Sequence, residues 1–285
     1  MHNIYASRYD ENVVYAVFNN HRSGDFKPYV LKSSDKGKTW VDIGKGLPER
    51  GSAYCMVEDH KNANLLFVGT EFGVFFTLDG GVNWMQLKSG LPTICIRDMA
   101  IQERENDLVL GTFGRGFYVL DDYSVLQTIQ KSDLDKKAVI FPIKPGLIFI
   151  PSEPIGDAGS GSLGASYYTA PNPKMGVNFT YFLQSDYKST KEIRKEAEAK
   201  KIEAKQHIYF PSADSIRLED NEESPYLLVV IKDTKGEVIR KMKQPATKGM
   251  YRINWSGRMD VTTPISANAR RTKSRTDVVT PVAIT

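Results

Sequence analysis

Two acidic residues in short polar stretches are the first candidates for catalysis. Asp25 lies in residues 19–27, which separate two strand-like apolar runs, and Glu71 lies in residues 71–73, between two further runs. Two carboxylates held roughly 5–10 Å apart can hydrolyse a glycosidic bond, one as the acid and the other as the base or nucleophile. The alternative is structural: Asp25 caps its own turn, and Glu71 forms an ion pair within its loop.

The sequence offers little other reactive chemistry. Its four histidines are scattered without the spacing of metal ligands. It contains neither a Gly-x-Ser-x-Gly nucleophile elbow nor a phosphate-binding loop. The two cysteines, Cys55 and Cys95, stand at different distances from the preceding proline, which favours free thiols over a disulfide. We therefore predict no metal and no cofactor.

An internal repeat must position the candidate loops. Residues 33–40 (Ser-Ser-Asp-Lys-Gly-Lys-Thr-Trp) recur 44 positions later as residues 77–84 (Thr-Leu-Asp-Gly-Gly-Val-Asn-Trp), and the same Gly-Leu-Pro follows each copy. The aspartate can accept hydrogen bonds from backbone N–H groups further along the turn. A glycine two positions later supplies the positive φ of the corner, and the tryptophan can lie over the turn. We predict a structural role for six residues: Asp35, Gly37, Trp40, Asp79, Gly81 and Trp84.

The spacing of the repeat predicts a fold. Short strand-like runs separated by turns give four strands to each of the first two units and three to the third. Four short strands in roughly 40–45 residues is the period of a β-propeller blade. Residues 1–128 are thus predicted to form about three blades. An open arc leaves apolar faces and strand edges uncovered. We therefore expect the C-terminal part of a longer propeller protein or, alternatively, a ring completed by self-association.

The remaining sequence changes character. Residues 129–175 contain many Pro, Gly and Ser residues and predict an extended linker that ends by docking. Residues 176–258 contain further strand-like runs and resemble a small immunoglobulin-like β-sandwich. A capping box predicts one charged helix inserted there, at residues 190–206. Residues 259–285 form a polar, basic tail that is predicted to be disordered or truncated. The predicted fold class is all-β.

Charge and hydropathy argue against two classes of partner. The 285-residue chain has a net charge of +4, and its basic excess is confined to residues 188–206 and 258–275. A broad surface for nucleic acid is therefore not predicted. No apolar run approaches the roughly 18 residues that a membrane span requires.

The octapeptides resemble the Asp-box, or bacterial neuraminidase (BNR) repeat, of sialidases, xyloglucanase-type endoglucanases and sortilins. Residues 21–29, 66–73 and 111–122, continued by 221–226 and 249–255, are similar to a bacterial family common in Bacteroidota. Its members are described as sortilin-like proteins or as glycosyl hydrolases. The resemblance covers about residues 1–258 and implies a secreted or periplasmic protein, although the chain itself carries no signal-peptide pattern.

In that family the Asp-box closes the turn between the third and fourth strands of a blade, and the ligand cleft lies on the opposite face. The resemblance thus places a ligand at residues 19–27, 71–73 and 113–116. It implies two catalytic carboxylates and three ligand-binding residues: Asp25 and Glu71, and His21, Arg22 and Arg115. The implied function is polysaccharide binding or glycoside hydrolysis by the full-length protein, with the fragment alone inactive. The alternative is a non-enzymatic, sortilin-like propeller that binds peptides or proteins.

Overall fold

The computed structural model describes residues 2–88, 90–150 and 172–259. The chain divides into two compact units, Met1–Ile129 and Gln130–Thr285. Strands predominate in the described residues, together with three α-helices. The prediction of a β fold is thus confirmed as a mostly-β chain. Residues 260–285 of the predicted tail and residues 151–171 of the predicted linker lie outside the described residues.

Unit 1 consists of three antiparallel sheets, each built from strands in chain order. The first two sheets have four strands each and the third has three, as the repeat predicts. The strands of the first sheet are β1 (Asn3–Ala6), β2 (Val14–Asn20), β3 (Asp25–Ser33) and β4 (Val41–Asp42). Those of the second are β5 (Ala53–Glu58), β6 (Leu66–Thr70), β7 (Gly73–Thr77) and β8 (Met85–Leu87). Those of the third are β9 (Ile96–Gln102), β10 (Asp107–Thr112) and β11 (Phe117–Leu120), followed by the short helix α1 (Ser124–Thr128).

The second sheet is buried on both faces. All residues of β5 and β6 are buried, whereas β1 and β11 on the outer sheets alternate between exposed and half-buried residues. One apolar cluster joins the first and second sheets through residues such as Val17, Met56 and Val68. A second cluster joins the second and third sheets through residues such as Phe67 and Leu108. Successive up-and-down sheets stacked face to face have the arrangement of propeller blades.

The up-and-down chain path gives unit 1 two ends with different contents. The octapeptides connect β3 to β4 and β7 to β8, at what we call the octapeptide end. The β2–β3, β6–β7 and β10–β11 connections, with the first residues of β1, β5 and β9, lie at the opposite end, which we call the loop end. The candidate catalytic and ligand-binding residues all lie at the loop end.

The two octapeptides fold into equivalent turns. Ser33 Oγ donates to Asp35 Oδ1 at 2.7 Å, and Thr39 N donates to the same oxygen at 2.8 Å. In the second copy Thr77 Oγ1 donates to Asp79 Oδ1 at 2.6 Å, and Asn83 N donates to it at 2.9 Å. The Asp35 and Asp79 carboxylates therefore accept hydrogen bonds from donors within their own turns.

The two tryptophans of these turns bond differently. Trp40 Nε1 donates to the carbonyl of Gly37 in its own turn at 3.0 Å. Trp84 Nε1 donates to the carbonyl of Ile43 in the preceding sheet at 2.8 Å. The second turn therefore also connects two sheets.

Buried carboxylates connect the sheets at the octapeptide end. Glu58, which is 1% exposed, accepts hydrogen bonds from Ser7 Oγ at 2.9 Å, Arg8 N at 2.8 Å and Tyr15 Oη at 3.1 Å. Asp59, which is 0% exposed, accepts from Tyr123 Oη at 2.6 Å. Burial raises the pKa of the Tyr15 and Tyr123 hydroxyls, so both remain protonated donors.

The described residues of unit 2 form two small antiparallel sheets. One has the strand order β12 (Ala138–Ile140), β13 (Val177–Leu183) and β16 (Gly249–Trp255), and the other is the hairpin β14 (Tyr226–Lys232) and β15 (Val238–Pro245). The sheets share a core around Phe179, Ile231 and Trp255. This is a two-sheet β unit, and its finer description as immunoglobulin-like stays a prediction.

The helices of unit 2 correct the prediction of one inserted helix. Helix α2 (Thr190–Glu203) begins at the predicted capping box, where Ser189 Oγ accepts from Glu192 N, but it ends before residue 206. A second helix, α3 (Ala213–Asn221), follows it. Arg194 joins the two helices because Nε and Nη2 each donate to a Glu219 oxygen at 2.7 Å. Such a contact between distant residues leaves no periodic pattern in the local sequence.

Replacing Glu58 by alanine should weaken the contact between the first two sheets and destabilise the fold. The substitution leaves three donors without their acceptor, one of them the buried Tyr15 hydroxyl. We expect the free energy of unfolding to fall by about 3 kcal/mol, measured by urea unfolding followed by circular dichroism. The control is Glu11→Ala, which removes an exposed ion pair with Lys36 and should cost roughly 0.5 kcal/mol or less. Equal losses in the two variants would refute the role of Glu58.

Asp35→Asn should change how the melting temperature depends on pH. Hydrogen bonds from Thr39 and Ser33 lower the Asp35 pKa from 3.8 to about 2. A lowered pKa in the folded state stabilises the protein above the unfolded pKa, and this stabilisation disappears as the pH falls through the folded pKa. The melting-temperature difference from the unsubstituted protein should therefore be constant above roughly pH 5 and shrink toward pH 2. A difference that does not change with pH would contradict this account.

Candidate functional site

Tight backbone corners bring the loop end together. The β6–β7 corner is closed by Thr70 Oγ1, which donates to the carbonyl of Gly73 at 3.0 Å. Gly73 has a φ of +126°, which an L side chain rarely adopts. The adjoining residue Glu71 donates its backbone N–H to the carbonyl of Ser52 at 3.1 Å. The corner is thereby joined to the residue just before β5.

The side chain of Glu71 is fixed by two donors. Tyr54 Oη donates to Glu71 Oε1 at 3.1 Å, and Ser52 N donates to Oε2 at 3.3 Å. Tyr54 is 5% exposed, and its pKa is raised by burial and then by the hydrogen bond to Glu71. The phenol therefore stays protonated at neutral pH and holds the carboxylate in one orientation.

An arginine that the sequence analysis did not identify completes this arrangement. The Arg97 guanidinium lies over the Tyr54 ring, 4.0 Å from its centroid, and 5.3 Å from the centroid of Phe113. The His2 ring meets Tyr54 edge-on, with the ring centroids 5.0 Å apart. The sequence could have indicated this group through position alone. His2 lies next to the first strand of the first sheet, and Tyr54 and Arg97 lie within the first strands of the second and third sheets.

The second predicted carboxylate, Asp25, is the first residue of β3. It accepts hydrogen bonds from Tyr29 Oη and, at 3.1 Å, from Lys27 N. The bond from Tyr29 is the main cause of the lowered pKa of Asp25. The next carbonyl, that of Phe26, accepts from Gly51 N at 2.9 Å. Since Ser52 follows Gly51 and binds Glu71, hydrogen bonds connect the start of β3 to the segment that holds Glu71.

The three predicted ligand-binding residues are exposed at this end. His21 and Arg22 lie in the 3-10 turn His21–Ser23, where His21 Nδ1 lies 2.9 Å from Asn19 Oδ1. Arg115 lies between the positive-φ residues Gly114 and Gly116 of the β10–β11 connection. Arg115 is therefore two residues from Phe113, over which Arg97 lies.

The loop end also contains buried polar atoms that lack partners. Among the described residues, Asn3 Oδ1, Asn19 Nδ2 and Ser52 Oγ have no hydrogen-bond partner. Ser52 is 0% exposed and adjoins the Glu71 site. A buried polar atom without a hydrogen-bond partner costs free energy. A ligand that supplied a partner to one of these atoms would remove part of that cost.

A cavity of about 350 Å³ borders the same β6–β7 corner. In its lining, Gln86 Nε2 donates a hydrogen bond to the carbonyl of Phe72 at 3.0 Å. The Phe72 ring is 45% exposed. The cavity lining is Phe72, Gly73, Gln86, Leu87, Lys88, Leu91, Pro92 and Thr93.

Neither a metal centre nor a membrane helix is found in the described ranges. No three His, Cys, Asp or Glu side chains there are grouped so that they could hold a metal ion. None of the helices described is long and apolar enough to cross a membrane.

The comparisons with known proteins return structures only. Neither a protein-family model nor a curated protein sequence matches this chain. A GH74 xyloglucanase from Xanthomonas campestris aligns with 36% of the chain at 14% identity and a TM-score of 0.31. An ancestral GH74 enzyme aligns with 63% of the chain at 15% identity and a TM-score of 0.34. The chain spans 17% and 25% of the lengths of these two enzymes.

The reactivity of Cys95 should report on the arrangement of Glu71 and Arg97. Burial raises the pKa of the Cys95 thiol, the positive charge of Arg97 lowers it, and the negative charge of Glu71 raises it. We expect Glu71→Gln to speed alkylation of Cys95 by iodoacetamide at pH 8 by about two-fold and Arg97→Gln to slow it by a similar factor. Mass spectrometry of the alkylated peptide measures both rates.

Cys55 provides the internal control for this experiment. Its thiol is buried and its pKa is strongly raised by that burial, so it should remain unmodified in every variant. Equal alkylation rates of Cys95 in the two variants would show that neither charge acts on this thiol.

Proposed function

We propose that the loop end of unit 1 is a polysaccharide-binding site of a β-propeller protein related to glycoside hydrolases. The observation that carries the proposal is the joined group of Glu71, Tyr54 and Arg97. A fixed carboxylate and a stacked guanidinium are oriented partners for sugar hydroxyl groups. The exposed Phe72 and Phe113 rings offer flat apolar surfaces beside them.

We also propose hydrolysis by the full-length protein, with Asp25 and Glu71 as the catalytic pair. The lowered pKa of Asp25 keeps this carboxyl group ionised at neutral pH, the form that a base or nucleophile requires. Glu71 is the second carboxyl group of the proposed pair. In this scheme Tyr54 and Ser52 are positioning residues, since they act only by orienting Glu71.

The proposal includes further blades outside this chain. Propellers close with four to eight blades, and unit 1 supplies three sheets. In the full-length protein the additional blades would cover the exposed outer face of the third sheet, where Phe117 is 79% exposed. A secreted or periplasmic location belongs to the same proposal through the Asp-box resemblance.

A sortilin-like site for peptides or proteins is the second candidate. The feature that favours it is a row of exposed phenylalanines at the loop end, one from each sheet: Phe26, Phe72 and Phe113. Exposed apolar rings often mark protein-binding surfaces. Such a protein would bind its ligand without chemistry.

Binding and turnover should be measured separately on xyloglucan and mixed-linkage β-glucan. We expect binding by isothermal titration, and we expect Glu71→Ala to weaken it about ten-fold through the loss of a charged hydrogen-bonding group. The matched control is Glu11→Ala, at the octapeptide end, which should bind like the unsubstituted protein. Failure of every polysaccharide tested, with a peptide library bound instead, would replace the first candidate with the second.

Release of reducing ends by the full-length protein tests the catalytic pair. Glu71→Gln and Asp25→Asn should each lower kcat by at least about 100-fold while binding is largely kept. Unchanged turnover in both variants would reject these residues as catalysts but leave the binding proposal standing.

A further inference from the structure

The arginines of unit 1 differ according to the end at which they lie. The unit has six arginines. The two at the octapeptide end are paired with carboxylates, Arg8 with Glu103 and Arg104 with Glu105. The other four are exposed at the loop end, and no ion pair joins any of them to another residue that the structure describes: Arg22, Arg50, Arg97 and Arg115.

Contacts between the loops place these four arginines on one surface. Arg97 lies over Phe113, which is two residues from Arg115. Arg50 precedes Gly51, and the N–H of Gly51 donates to the carbonyl of Phe26. Phe26 lies in β3, which follows the turn that contains Arg22. The pKa of His2 is lowered by burial first, and the positive charges of Arg97 and His21 contribute to the same shift. The first and third sheets therefore both contribute positive charge to this surface.

In the described structure the nearby carboxylates form no ion pair with these arginines, and their oxygens accept hydrogen bonds from other groups. Both oxygens of Glu71 accept hydrogen bonds from Tyr54 and Ser52. Asp25 accepts from Tyr29 and from the Lys27 backbone. An arginine without an ion-pair partner has N–H groups that can bind an anionic ligand.

The geometry of Arg97 favours a carboxylate as the anionic group of the ligand. A guanidinium that stacks on an aromatic ring through its face keeps its N–H groups at the edge available for bonding. Those edge groups match the two oxygens of a carboxylate. Phe113, whose ring centroid lies 5.3 Å from the Arg97 guanidinium, is 68% exposed and offers a flat apolar surface beside it.

We infer that the loop end binds a polysaccharide that carries carboxylate groups, with Arg97 and Arg115 contacting the carboxylates and Phe113 packing against a sugar ring. This rests on the proposed function and adds the charge of the ligand to it. Arg22 and Arg50 extend the same positive surface toward the first sheet.

Polygalacturonate and its methyl-esterified form make a matched pair of probes, because they share a backbone and differ in charge. Isothermal titration of the 285-residue chain at low salt should show roughly ten-fold or greater preference for the acid form. The preference should shrink as salt is raised from about 0.01 M to 0.15 M, since screening weakens exposed charge interactions.

Substitutions locate the binding surface. Arg97→Ala and Arg115→Ala should each weaken binding of the acid form roughly ten-fold and weaken binding of the ester less, so that the preference for the acid form falls in both variants. Arg104→Ala, in the same unit but at the octapeptide end, should bind both forms like the unsubstituted protein. Circular dichroism of every variant checks that the fold is kept.

Four outcomes would overturn the inference in different ways. Equal binding of the acid and the ester would refute the preference for charge and leave the proposed function intact. Absence of binding to any polysaccharide would refute the proposed function itself. Equal losses in Arg97→Ala and Arg104→Ala would show general polyanion attraction instead of a site. Tighter binding of polyglutamate, lost in the same arginine variants, would identify an acidic peptide as the ligand.

Discussion

Burial of both faces of the second sheet fixes the order and spacing of the three sheets in unit 1. The sheets approach so closely that Gly69 has no room for a side chain: a Cβ there would lie 2.6 Å from Cys55 Sγ and 2.9 Å from Ile96 Cγ2. Ile96 begins the adjacent sheet, so this glycine permits the close contact between β6 and β9. The positions of the loops at the strand ends follow from this packing.

The two ends of the stacked sheets use polar groups in opposite ways. At the octapeptide end, Asp35, Asp79, Glu58 and Asp59 each accept several hydrogen bonds from nearby backbone or side-chain donors. Such saturated carboxylates stabilise turns and contacts between sheets. The four arginines of the loop end instead have no ion-pair partner in the described structure, while each end has a buried polar atom without a hydrogen-bond partner, Ser52 Oγ at the loop end and His60 Nε2 at the octapeptide end. The loop end is therefore the better place for a ligand.

The sequence predicted which loops form the site, but it did not predict the contacts between their side chains. The strand pattern placed residues 19–27, 71–73 and 113–116 at one end, and the structure has all three connections there. The roles of Asp25, Glu71, His21, Arg22 and Arg115 stay predictions. The stacking of Arg97 on Tyr54 was missed because it joins residues 43 positions apart, and no local pattern encodes such a contact.

The sequence by itself determined the features that depend on near neighbours. These are the two octapeptide turns and the capping box of α2, because each is held by bonds within a few residues. The four-strand period was also readable, because each blade repeats its strands and turns in chain order. Tertiary structure decided which side chains meet across sheets, including the Tyr54 bond to Glu71 and the buried position of Glu58. It also decided the second helix of unit 2, since Arg194 binds Glu219 from 25 residues away. Packing between distant segments, and not local propensity, sets these contacts.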